Sequence, residues 1–282
     1  MSRPLLAVTM AALMLTAGCS FLGGGGTPTA DTDEPTPTGT PTATATPTAT
    51  ETPSPTPTPT TQYPAGYGAD GVENATAAGI AHTEALLDRD SFIVAINGSV
   101  LADNRTASVQ QLQSVDLVRG RALVAVNDSE RVERVTYFAN GTRYARVAPP
   151  DGNVSYNATD APLQPRTFTG ISFIGPALTN VTYGEANVTE TDEGTFYGYR
   201  AASVNRSAFR NLLGPSVDPE NVTDFDAGFV VEDGIVRRLS YQAAVERGNE
   251  TIIVDVRLRT YAVDEVEVSP PPWLDEARES DS

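Results

Sequence analysis

The chain has 282 residues, 40% of them hydrophobic and 20% charged, and its 19 basic residues face 36 acidic ones for a net charge of −17. So acidic a chain lacks the basic footprint that nucleic acid or an anionic membrane surface needs in a partner. With one cysteine and one histidine, it also lacks a disulfide framework and any two-histidine metal motif.

Read from the N-terminus, Arg3 is followed by an apolar stretch from Leu5 to Ala17. That stretch is shorter than the ~20 residues a membrane span requires and fits a cleavable signal segment. Leu15-Thr16-Ala17-Gly18-Cys19 has the form of a lipobox, which predicts residues 1–18 as a signal peptide and Cys19 as the site of lipid attachment. One acyl chain holds only marginally, so firm anchoring implies two chains. Gly23 to Gly26 form the flexible start of a stalk. Between Thr27 and Thr61, 16 of 35 residues are threonine and 9 are proline. Proline favours extended polyproline II, so residues 19–62 read as a lipidated stalk reaching on the order of 100 Å. Threonine beside proline also fits an O-glycosylated stalk.

Residues 63–273 are expected to fold as one domain and 274–282 to form an acidic tail. The pattern predicts a helix from Val72 to Asp88, its apolar face carrying Val72, Thr76, Gly79, Thr83, Leu86 and Leu87, with Ile80 and His82 at the margin. A strand begins at Ser91. Further strands are expected over Val109–Val118, Ala122–Val126, Arg131–Ala139 and Thr142–Ala148. Asn140-Gly141 between the last two is a type I′ hairpin signal, and it places Tyr137 opposite Tyr144. Short helices are expected over Thr169–Leu178 and Arg206–Leu213. Asp233-Gly234 joins strand Val222–Val231 to the next. A hairpin at Gly248-Asn249 sets Val245 against Ile252, Ala243 against Val254, Tyr241 against Val256 and Leu239 against Leu258. A one-residue slip would reverse that apolar face, so the register is determined. The fold class is therefore α+β: a long antiparallel sheet, one face apolar, with few helices to cover it.

Twelve of the thirteen asparagines lie in Asn-X-Ser/Thr sequons: Asn74, Asn97, Asn104, Asn127, Asn140, Asn153, Asn157, Asn180, Asn187, Asn205, Asn221 and Asn249. Only Asn211 does not, whereas the Ser and Thr content places about two in sequons by chance. They are candidate N-glycosylation sites, used only where a chain meets the glycosylation machinery. Together with the lipobox they predict the extracellular face of the cell membrane.

Acidic excess without lysine suits a protein kept soluble in concentrated salt. The opening Tyr67-Gly68-Ala69-Asp70-Gly71-Val72-Glu73-Asn74, with Ala81-His82 and Leu86, resembles a family of haloarchaeal lipoproteins of unknown function. So does the closing Val266-Glu267-Val268-Ser269-Pro270-Pro271-Pro272-Trp273 with Ala277. That family in turn is similar to the LolA/LppX-like lipoprotein carriers. The resemblance implies a curved sheet on a few helices, an unclosed barrel with an apolar cavity for acyl chains.

No reaction is legible. The chain has no nucleophile elbow, Walker or dinucleotide glycine pattern. His82 reads as packed, and Asp224-Phe225-Asp226 and Asp88-Arg89-Asp90 as ordinary acidic surface. Trp273 is expected to pin the C-terminal segment behind Pro270–Pro272. No catalytic residue, metal ligand or cofactor is assigned. The expected role is a non-enzymatic binding or carrier module for a lipid or other apolar ligand, with Leu239, Tyr241, Val245, Ile252, Val254, Val256 and Leu258 as cavity candidates. The alternatives are a structural protein associated with surface-layer components and, more weakly, a hydrolase of surface glycans.

Overall fold

The computed structural model describes residues 62–129 and 132–280. Cys19 and the threonine- and proline-rich segment lie outside the described residues. The strands are β1 Tyr67–Gly68, β2 Gly71–Val72, β3 Ser91–Ala102, β4 Arg105–Asp116, β5 Arg121–Asp128, β6 Glu133–Ala139, β7 Thr142–Ala148, β8 Ser155–Asp160, β9 Val181–Tyr183, β10 Asn187–Thr191, β11 Gly194–Val204, β12 Val222–Glu232, β13 Ile235–Arg247 and β14 Glu250–Tyr261. The helices are α1 Ala75–Leu87, α2 Ile171–Asn180, α3 Phe209–Leu213 and α4 Leu274–Glu279.

β1 and β2 form a small ribbon. The other strands make one antiparallel sheet in the order β10-β11-β12-β13-β14-β3-β4-β5-β6-β7-β8, with β9 beside β11. The path has two ends, so the sheet is not closed into a barrel. Two meanders, β3–β8 and β10–β14, meet where the last strand pairs with the first long one, Leu258 opposite Ile96.

The hairpins are set by their turns. Asn140 and Gly141 have φ of 53° and 81°, and Asp233 and Gly234 have 49° and 78°, the type I′ pattern in both cases. At the third hairpin Gly248 takes φ 66°, which suits a type II′ turn. Tyr137 faces Tyr144, and all four β13–β14 pairs stand in the expected register. β12 and β13 pair less regularly because the register shifts near both ends, bulging out Thr223 and Arg237.

Three features depart from the sequence reading. Helix α1 starts at Ala75, capped by Asn74, whose side-chain oxygen accepts the Ala77 amide at 3.0 Å. Its buried residues are Ala78, His82, Thr83 and Leu86, while Thr76 and Ile80 are exposed and Val72 belongs to β2. His82 is thus central to the packed face rather than marginal. Second, β8, β9, β10 and β11 lie in the stretch where only short helices were expected. Third, the sheet has two apolar faces, not one, and α4 occupies part of the segment read as an acidic tail.

The main core lies on the inner face of β11–β14 and β3–β4, with Ala122 of β5 at its margin, under α1, α2 and α3. A smaller core forms on the opposite, outer face of β5–β7, where Tyr137 and Ala139 pack with Val268 and Leu274. Val268 reaches that face by donating its amide to Asp116 Oδ2 at 3.5 Å. Trp273 lies beside Tyr156, ring centroids 6.3 Å apart and planes tilted by 33°, and so holds the segment against β8.

Candidate functional site

The seven cavity candidates share the inner face of β13 and β14. Leu239, Tyr241, Val245, Val254, Val256 and Leu258 are buried and Ile252 half-buried. They are roofed closely. Tyr241 donates its hydroxyl to the Leu212 carbonyl of α3 at 3.0 Å. Gly170, at the start of α2, has φ 76° and sits so near the sheet that a Cβ there would come within 2.8 Å of Leu258 Cδ1. Only glycine meets both demands.

His82 ties three elements together. Its Nδ1 accepts the Val236 amide of β13 at 3.0 Å, so Nε2 carries the proton that is donated to the Thr169 carbonyl at 2.8 Å. The ring is fully buried, and this burial pushes the imidazole down to about 4. A neutral ring using both nitrogens as a clamp is a fastener for the roof. It is not poised for proton transfer.

Beyond this roof the inner face continues across β4 into β5–β7. Register places Ile96, Gln111, Val126, Arg134 and Val147 in one row across the strands, and Val94, Gln113, Val124, Thr136 and Ala145 in the next. Val94 and Ile96 are buried, whereas Val124, Val126, Thr136, Ala145 and Val147 are half-buried. The inner face therefore emerges from the core as a half-exposed strip, a shallow trough in which Val124, Val126, Ala145 and Val147 are interspersed with Gln111, Thr136 and Arg134. Gln113 stands at the transition, 6% exposed, with no hydrogen-bond partner for its Oε1 among the described residues. A buried acceptor left unpaired costs ~1–3 kcal/mol, and such exceptions in a native fold call for a reason. Arg134 stands between Val126 and Val147 in the first row, its guanidinium bound to Asp128 at 3.0 Å.

The sequence reading missed these residues. The apolar run Ala122–Val126 did announce a strand. Nothing local tells that α1, α2 and α3 roof β13 and β14, or that Phe168, just before α2, reaches Phe138 of β6 (ring centroids 5.3 Å apart) while Val126, Ala145 and Val147 stay only half-buried.

Eleven of the twelve sequon asparagines are exposed. Asn180 is half-buried, and its Nδ2 donates to the Pro176 carbonyl at 2.8 Å. Among the described residues no group of three or more His, Cys, Asp or Glu side chains could hold a metal ion, and no helix is long and apolar enough to cross a membrane.

Among solved structures, lipoprotein LppX from Mycobacterium tuberculosis is similar at 16% identity and a TM-score of 0.36, over 69% of this chain and 98% of that one. LprF from Mycobacterium bovis is similar at 11% identity and 0.34, over 73% and 99%. A LolA superfamily protein from Nitrosomonas europaea is similar at 10% and 0.23, over 70% and 94%. These are likenesses of fold, and no ligand or activity passes from them to this chain. No curated protein matches it. The family of unknown function DUF7537 matches over residues 4–277, nearly the whole length, and the chain belongs to that family.

Proposed function

We propose that this protein is a lipid-anchored, glycosylated surface lipoprotein of a salt-adapted archaeon and that it binds a lipid or another apolar ligand without chemical conversion. The anchoring rests on the lipobox at Cys19, and the glycosylation on the sequon excess. The observation that carries the binding role is the half-open trough of Val124, Val126, Ala145 and Val147, which continues the apolar core outward. An acyl chain laid along it would remove this surface from water, worth ~25 cal/mol per Å² covered. Gln113 would offer its free acceptor to a hydroxyl or amide of the ligand.

The test is native mass spectrometry of protein purified from its own membranes, after the anchor has been removed. A bound lipid is expected, and Val126→Arg should abolish it while leaving the thermal midpoint nearly unchanged, because the side chain is half-exposed. Val256→Trp serves as the contrast. In the close-packed region beneath α3 it should overpack and destabilise by ~1–3 kcal/mol. Protein that carries no lipid, in wild type as in Val126→Arg, would speak for the structural, surface-layer alternative.

A further inference from the structure

On the outer face, away from the trough, a groove of about 950 Å³ crosses β10, β11, β12, β13, β14 and β3. At its centre Arg238 of β13 stands directly opposite Arg259 of β14. Cβ atoms so paired are ~4.5–5.5 Å apart, and like charges in that position repel. Neither arginine has an ion-pair partner among the described residues, although the chain holds nearly two carboxylates for every arginine. Neighbouring Arg237, which also lines the groove, is satisfied by Glu232 at 2.5 Å. Glu193 and Glu265 line the groove as well without pairing to the two.

The surroundings suit a sugar. Neighbours of the pair on either side are small: Val230 and Gly198 beyond Arg238, and Ala95 beyond Arg259. The floor is therefore open to an extended ligand. Phe196 and Tyr261, which is 43% exposed, present aromatic rings on the two sides of the pair. Aromatic faces and edges suit a pyranose ring, apolar on its faces and polar at its rim. Two planar guanidinium forks side by side match one carboxylate or sulfate each. We propose that this groove binds an acidic saccharide, its anionic groups held by Arg238 and Arg259 and its rings laid against Phe196 and Tyr261. Asn97 and Asn187, both in sequons, line the same groove. The saccharide can therefore come from the chain's own glycans or from another molecule.

The experiment is titration calorimetry of the full-length protein from a glycosylation-deficient host with trigalacturonate, its neutral methyl ester and inorganic sulfate as probes. Trigalacturonate should bind, the ester and sulfate should bind at least about tenfold more weakly, and Arg238→Gln/Arg259→Gln should lose at least about tenfold in affinity. The double variant should be no less heat-stable than wild type, since it relieves a repulsion. Equal binding by the ester or by the double variant, sulfate binding as tightly, or no binding of trigalacturonate would each overturn the proposal. The glycosylated native protein then separates the two sources. Binding that is blocked there and restored by Asn97→Gln or Asn187→Gln assigns the occupant to the chain's own glycan. Undiminished binding assigns it to a glycan of another molecule.

Discussion

The His82 clamp makes a prediction that is independent of any ligand. In the unfolded chain the imidazole titrates near 6.5, whereas in the fold it does so at about 4. Between these values the unfolded state binds more protons, so stability rises with pH across the window and is lost as pH falls from 6.5 toward 4. At 1.36 kcal/mol per unit, the loss on reaching pH 4 comes to about 3 kcal/mol. For comparison, whole domains hold ~5–15 kcal/mol. His82→Gln is the informative control. Glutamine keeps a neutral donor and a neutral acceptor but cannot be protonated in this range, so the variant should be weaker at pH 7 yet nearly flat between pH 6.5 and 4.5. Asp116 does not confuse the window. Burial alone would raise its carboxyl, but hydrogen bonds from Arg119 and Val268 outweigh that and hold it below the usual carboxylate range. Its contribution is therefore lost only at still lower pH. The assay is urea unfolding at fixed salt in steps of half a pH unit, comparing free energies for the two proteins. Equal slopes in wild type and His82→Gln would mean that His82 is not the buried neutral clamp described.

Three further outcomes are expected. Cys19→Ser should release the protein into the medium or block its processing; fully mature protein still in the membrane fraction would count against the lipobox. Glycopeptide mass spectrometry should find sugar on turns such as Asn140 and Asn249 but not on Asn180, whose Nδ2 is already committed to the Pro176 carbonyl. Deleting residues 270–282 removes Trp273 and Leu274 from the outer core and should cost about 3 kcal/mol or more, read as a lowered thermal midpoint with the main core intact; an unchanged midpoint would show that this core contributes nothing.

What could be read from the sequence was local. The three hairpins were legible because Asn-Gly, Asp-Gly and Gly-Asn leave few turn types open, and because Leu239, Tyr241, Ala243 and Val245 each face an apolar partner while Ser240, Gln242, Asp255 and Arg257 point the other way. β11 escaped notice because Gly198 and Arg200 alternate with Tyr197, Tyr199 and Ala201 in a stretch of weak apolar contrast. The buried face of α1 was misplaced because Ala78 and His82 become interior only through what lies opposite them, β13 and Thr169. Helix α4 looked like a solvated tail because Asp275, Glu276 and Glu279 outnumber Leu274 and Ala277. The trough and the arginine groove were out of reach for one shared reason. Both depend on which strands end up adjacent and on which half of the sheet each cover reaches, and those are relations between residues far apart in the chain.

The seam between β14 and β3 has a consequence for biogenesis. Strand β3 emerges early and β14 nearly last, yet each is the other's neighbour in the middle of the sheet. Until β14 is delivered, the first meander offers β3 as a long unprotected edge, a template for pairing with other chains. Closing the seam also joins residues as distant as Ile96 and Leu258, so the entropy of a long loop opposes it and it should set the pace of folding. The vulnerable species is then a chain whose C-terminal third is still missing. Surveillance during export would have to shield that intermediate, and truncations within β12–β14 should aggregate rather than yield a smaller folded protein.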